Sequence, residues 1–144
     1  MLIAIFGESC TGKSTLAQLL QRDLHAEVYT GKDYLRLAKN EAIAKKLFQN
    51  KLADAVDGEH ILYVIAEREH LALLPEKSFR ILVTADIETI KTRFAARMNG
   101  NLPAPVAAML ERKHGCFDAE ACDIHVTSGE TDLDDVCRAV KNSI

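Results

Sequence analysis

Hydrophobic and polar positions along this chain switch repeatedly between two periods. Met1 to Phe6 is an uninterrupted apolar run that stops at Gly7, the pattern of a strand buried on both faces. From Ser14 the spacing turns helical, with Leu16, Leu19, Leu20 and Leu24 on one face. Glu27 to Tyr29 predicts a second short strand. Asp33 to about Val56, rich in Ala, Leu, Lys and Asn, predicts one or two helices. His60 to Ala66 is the strongest central-strand segment, and Pro75 punctuates the chain before a further strand at Arg80 to Val83. Ile87, Ile90, Phe94 and Met98 then recur at helical spacing behind Asp86, a natural N-cap. Asn99 to Pro105 holds two prolines, a glycine and two asparagines and predicts a loop. Ile124 to Thr127 is the last strand. A final helix is expected from about Thr131, where Asp132, Asp134 and Asp135 suit the positive end of its dipole.

Strands therefore alternate with helices along the whole length. That order predicts one α/β domain over residues 1–144, in three layers, with a parallel five-stranded sheet flanked by helices. A chain of 144 residues is the size of a single domain, and no repeat, linker or low-complexity segment divides it. Its 48% hydrophobic and 27% charged residues belong to a compact protein. A net charge of -3, no Trp and only three Tyr argue against a nucleic-acid partner, which needs a basic footprint or stacking platforms. No apolar run approaches the roughly 20 residues that span a bilayer, so no membrane partner is expected. The first residues lack the basic head and cleavage region of a secretory signal, and the four cysteines are too scattered for a disulfide scaffold. The expected compartment is the cytoplasm.

The chemistry lies between the first strand and the first helix. Gly7-Glu8-Ser9-Cys10-Thr11-Gly12-Lys13-Ser14 fills every fixed position of the phosphate-binding loop. Glycines let the backbone wrap closely around phosphate oxygens, while amides at the helix N-terminus point at the anion. Lys13 would meet the β and γ phosphates of ATP as a mobile point charge. The Ser14 hydroxyl would ligate Mg²⁺, with Thr15 behind it. The motif predicts a P-loop fold that binds nucleoside triphosphate. It leaves the fate of the bound nucleotide open.

Other segments resemble the nucleoside monophosphate kinases among P-loop proteins. Thr30-Gly31-Lys32-Asp33-Tyr34-Leu35-Arg36 resembles the Thr-Gly-Asp-x-Leu-Arg segment of adenylate kinases, with Lys32 inserted. Ala66-Glu67-Arg68-Glu69 resembles the Asp-Gly-Arg-Asp segment of bacterial cytidylate kinases, with Ala66 at the first acid. Asp86 to Arg97 resembles the helix that leads into the lid, and Asp123 to Gly129 the last strand and adenine-flanking loop. The resemblance implies an acceptor-binding segment over 31–57 and a short lid over 99–118. It implies that Arg36 and Arg68 grip an anionic acceptor, with Asp33 or Glu67 orienting its nucleophilic oxygen. Arg93 and Arg97, four apart on one helix face, and Arg112 after the lid loop would surround the transferred phosphoryl group.

The expected function is therefore transfer of the γ-phosphoryl group of ATP to a small anionic acceptor, first of all a nucleoside monophosphate. Two alternatives stay open at this point. One is an NTPase or nucleotide-controlled switch without a small acceptor, and the other is a nucleotide-binding protein without catalysis. A zinc set of His114, Cys116, Cys122 and His125 lacks the tight Cys-x-x-Cys pair of structural sites. Cys10, near a helix N-terminus, is expected to be oxidation-sensitive rather than catalytic.

Overall fold

The computed structural model describes residues 1–144. Five strands form one parallel sheet: β1 (Leu2–Phe6), β2 (Glu27–Thr30), β3 (Ile61–Ile65), β4 (Phe79–Thr84) and β5 (Ile124–Thr127). Their order across the sheet is β2-β3-β1-β4-β5. The central strand β1 pairs in register with β3, from Leu2 opposite Ile61 to Phe6 opposite Ile65, and with β4 on its other side. All five residues of β1 and of β3 are buried. That is why both segments read as continuous apolar runs rather than alternating ones.

Period two still sorts their side chains between two cores. Ile3 and Ile5 of β1 face α1 (Lys13–Leu24) and α5 (Leu133–Asn142), packing with Leu16, Leu20, Val136 and Val140. Leu2 and Phe6 face the opposite layer, built on α2 (Glu41–Ala55) through Ala44, Phe48 and Leu52. Phe48 is its hub, with Tyr29 and Tyr63 rings at 4.9 Å and Tyr34 stacked at 5.3 Å. Geometries of this kind add to plain area burial.

Two further helices, α3 (Ile87–Arg97) and α4 (Ala104–Lys113), form a small third cluster with the phosphate loop, joining Ile90 and Leu110 to Cys10 and Ala85. Asp86 caps α3 by accepting from the Thr89 amide at 2.7 Å, as its position after β4 predicts. The expected loop through Pro105 is shorter than its composition implies. Residues from Ala104 onward are helical because Pro105 sits in the first turn, where its missing N–H is not needed. A short 3-10 segment at Arg68–Leu73 was not expected, since six residues are too few to carry a period. No helix is long and apolar enough to cross a membrane.

Candidate active site

The loop from Gly7 to Ser14 leaves β1 at the carboxyl edge of the sheet and enters α1. Gly7 is held by its amide, which donates to the Ile65 carbonyl at 3.2 Å. A Cβ there would stand 2.1 Å from the Val83 carbonyl oxygen, so no larger residue fits between β3 and β4. Gly12 turns into the helix with φ of +103°, a conformation that glycine adopts freely. Cys10 reaches φ of +64° without being glycine, and is buried against Ile90 and Leu110.

Inside the loop, Lys13 Nζ donates to the Glu8 carbonyl at 2.5 Å and Thr11 Oγ1 to the same oxygen at 2.9 Å. Burial pushes the Lys13 ammonium down to about 8. The Arg97 charge lowers it further, while Cys10 and Glu8 act in the opposite sense. The Glu8 carboxylate turns away from the loop mouth, accepting from the Gly115 amide at 3.1 Å and meeting His114 Nδ1 at 3.1 Å. Phe117, two residues on, lies under Phe6 with ring centroids 5.8 Å apart. The end of the expected lid is thus fastened to the core and the loop.

A cleft of about 790 Å³ opens above the loop. Ser9 to Thr15 form its floor. Arg93, Ala96 and Arg97 line one wall and Ser128, Gly129 and Thr131 another, while Thr30, Gly31, Ala66, Glu67 and His70 line the far end. Arg93 ties two walls together, its Nη1 donating to the Cys10 carbonyl at 3.0 Å and its Nη2 to Ser128 Oγ at 2.8 Å. Three cations, Lys13, Arg93 and Arg97, therefore stand over the phosphate-loop side, and one carboxylate, Glu67, stands at the other end. Such an arrangement can hold a polyanion at one end and accept a hydrogen bond at the other.

No family model matches the sequence, and neither does any curated protein. Solved structures do match in fold. The YorR protein of Bacillus subtilis, determined with phosphorylated GDP, is 21% identical, with 99% of this chain and 95% of that one covered at a TM-score of 0.63. Shikimate kinase from Acinetobacter baumannii, in complex with shikimate, is 12% identical over 99% of this chain and 91% of that one, at a TM-score of 0.64. A gluconokinase from Sinorhizobium meliloti is 12% identical over 94% and 86%, at a TM-score of 0.60.

The chain has the fold of the P-loop small-molecule kinases. Within that fold, the structure gathers only part of the residues that the sequence nominated. Ser9, Cys10, Thr11, Gly12, Lys13, Ser14, Thr15, Arg93, Arg97 and Glu67 line the cleft, and the others stand elsewhere. Gly7 is packed beneath the loop and Glu8 faces the opposite way. Asp33 does not line the cleft; its Oδ2 accepts from the Thr30 amide at 2.9 Å and fixes the turn after β2. Arg36 lies on the outer side of β2, 4.6 Å above the Tyr29 ring and 3.9 Å from Glu27 Oε1. Arg68 turns outward to Glu120 Oε1 at 3.1 Å. Arg112 is exposed on α4, whose neighbour Glu111 is ion-paired with Lys91 of α3.

The departures of Arg36 and Arg68 share a cause. Short 3-10 segments follow β2 and β3, and each points its arginine away from the sheet edge, which spacing alone did not reveal. The same segments bring in a residue that sequence reasoning missed, His70, whose one signal was an imidazole three residues beyond a strand-end acid. No three of the His, Cys, Asp and Glu side chains form a metal-binding group, and His125 is bonded to Thr84 at 2.7 Å. The Ser14 hydroxyl fits Mg²⁺ by the chemistry of its surroundings: a hard oxygen donor beside an anion cradle, where a metal held by phosphates and water needs little else.

Proposed function

We propose that the protein is an ATP-dependent, Mg²⁺-assisted phosphotransferase that moves a γ-phosphoryl group onto a hydroxyl of a small acceptor. The observation that carries this reading is the single cleft with Lys13, Arg93 and Arg97 over the phosphate loop and Glu67 open at its far end. Loop amides from Glu8 to Lys13 hold the donor phosphates. Lys13 exchanges the Glu8 carbonyl for phosphate oxygens, and Ser14 would hold Mg²⁺, which would supply positive charge to the donor phosphates. Arg93 and Arg97 neutralise charge that develops as the phosphoryl group leaves, and Glu67 orients the attacking hydroxyl by accepting its hydrogen bond. The loop at Ser128 and Gly129 flanks the base.

A nucleoside monophosphate acceptor, the expectation from the resemblance, depends on Arg36 and Arg68 as phosphate grips. Both are engaged on the outer surface, and the geometry favours a smaller acceptor. Arg112 receives no role in this reading. The test is ADP production from MgATP with a panel of nucleoside monophosphates, hydroxy acids and sugars, using Lys13→Ala as control. ADP formed only with an acceptor, and lost in the control, is the expected result. ADP release indifferent to every acceptor would favour an NTPase or switch.

A further inference from the structure

His70 serves neither the phosphate loop nor ordinary core packing. Its ring stands between the main cleft and a second cavity of about 320 Å³ bounded by Tyr34, Gln49 and Leu73. The residue is 5% exposed, and its Nδ1 is buried with no hydrogen-bond partner. Nε2 meets only Glu69 Oε1 at 3.9 Å, beyond hydrogen-bond range. Tyr34 and Tyr63 hold the ring from two sides with centroids at 6.4 Å, and Tyr63 is itself fixed by donating to the Gly31 carbonyl at 2.8 Å. A buried polar atom without a partner costs stability. Phenylalanine would fill the same space without that penalty. The imidazole therefore points to a ligand.

The charges nearby say which kind. At this end of the cleft Glu67 is the one ionisable lining side chain besides His70, next to the Thr30 hydroxyl and Gly31, and exposed Lys113 stands 3.9 Å from its Oε2. In the second cavity Lys32 and Lys45 are balanced by Glu41 and Glu69. No guanidinium lines this end of the cleft or the second cavity. A phosphate-bearing acceptor would meet the Glu67 carboxylate, whose charge Lys113 only balances, with no surplus cation and no guanidinium fork to hold it. Hydroxyl groups, in contrast, donate both to a carboxylate and to an imidazole lone pair.

We propose that His70 is an acceptor-binding residue, its Nδ1 taking the hydrogen bond of a hydroxyl on a small polyhydroxylated acceptor that carries no phosphate. The proposal rests on the phosphotransferase reading of the same cleft. The ring lines the cleft while its Nδ1 is buried, so the proposal requires the ring to turn about its Cβ–Cγ bond when the acceptor binds.

The experiment monitors the His70 ring nitrogens by NMR in ¹⁵N-labelled full-length protein with MgADP, assigned with His70→Phe. The probes are myo-inositol, D-glucose, D-gluconate, shikimate and CMP, each also assayed as a phosphoryl acceptor from MgATP. A polyol or sugar acid should move the Nδ1 resonance and accept phosphate. Its KM should rise about tenfold or more in His70→Phe, the loss of one hydrogen bond to a buried site, with the KM for ATP within about twofold. His70→Asn, which keeps a polar atom near Nδ1, should recover most of that loss. The proposal is overturned if none of the probes moves the ring nitrogens, if CMP alone is phosphorylated, or if His70→Phe leaves the acceptor KM unchanged. The phosphotransferase reading fails separately, through MgATP that stabilises the wild type no more than Lys13→Ala. The ring measurement on wild-type protein stands even if a variant does not fold.

Discussion

Lys13 Nζ and the Glu8 carbonyl are 2.5 Å apart, so the phosphate loop satisfies its own cation from within. Donor binding on this reading is an exchange, in which phosphate oxygens replace a peptide oxygen around an ammonium already stripped of most of its water. Lys13 is 7% exposed, and that burial is the main reason its pKa falls to about 8.

Nucleotide affinity should therefore depend on alkaline pH. Bound phosphates favour charged Lys13, so the complex holds a proton that the free protein begins to release near pH 8. Affinity for MgATP should fall as pH rises through about 8, approaching tenfold per unit above it. Calorimetry at pH 8.5 in buffers of different ionisation enthalpy should show proton uptake on binding. A dissociation constant flat from pH 7.5 to 9.5 would sink the idea. The same lowered pKa works in reverse for the unliganded fold. Between about 8 and 10.5 the unfolded chain keeps a proton that the native Lys13 has lost, so this residue's contribution to stability rises with pH across that window. Lys13→Met should flatten that rise.

Gly7 is predicted to be the least replaceable position of the loop. A Cβ 2.1 Å from the Val83 carbonyl oxygen meets backbone, which cannot swing aside as a side chain would. Gly7→Ala should cost about 3 kcal/mol, at the upper end of overpacking penalties, or roughly 6–12 °C in Tm for a chain of this size. Gly100, with no atom within 4 Å of its Cβ position, provides the contrast, since Gly100→Asn keeps a residue that tolerates its positive φ. Thermal melts of the two variants separate close approach from backbone strain.

Arg93 and Arg112 should part company in kinetics. Arg93 bridges the Cys10 carbonyl and Ser128 at the edge of the cleft, whereas Arg112 is exposed and unpaired. Once an acceptor is in hand, Arg93→Ala should lower kcat by about 10²- to 10³-fold, the loss typical of one donor that stabilises transition-state charge. Arg112→Ala should stay within about twofold. Equal losses in both would mean that α4 closes over the cleft during turnover.

The strands, α1, α3, α5 and the phosphate loop were legible in the sequence because each is governed by local rules. β1 and β3 are buried on both faces, α3 has its cap at Asp86, and the loop motif fixes its own surroundings. The acceptor end was not legible for the opposite reason. Whether Arg36 and Arg68 face the cleft depends on 3-10 segments of five and six residues, whose direction is set by packing of Tyr34 and His70 rather than by period. Order along the chain matched a kinase pattern there, but side-chain direction did not. The helix α4 was hidden by its prolines, which composition reads as loop and geometry accepts at a helix start.

Glu8 supplies the last prediction. Its carboxylate accepts from the Gly115 amide and meets His114, so a variable position of the phosphate loop anchors the segment beyond α4. Lys113, one residue earlier, lies 3.9 Å from Glu67, which brings the same segment beside the acceptor end. Glu8→Ala leaves the part-buried Gly115 N–H without its partner and should cost about 1 kcal/mol, the low end of the range for an orphaned donor. Glu8→Gln keeps one acceptor oxygen and should lose less. Hydrogen exchange at Gly115 should accelerate severalfold in Glu8→Ala, the factor that about 1 kcal/mol of local opening gives. The Glu8 side chain does not line the cleft, so MgATP affinity should change less than about threefold. If Gly115 exchanges at the wild-type rate in Glu8→Ala, the anchor lies in Phe117 under Phe6 instead, and Phe117→Ala would then release the segment.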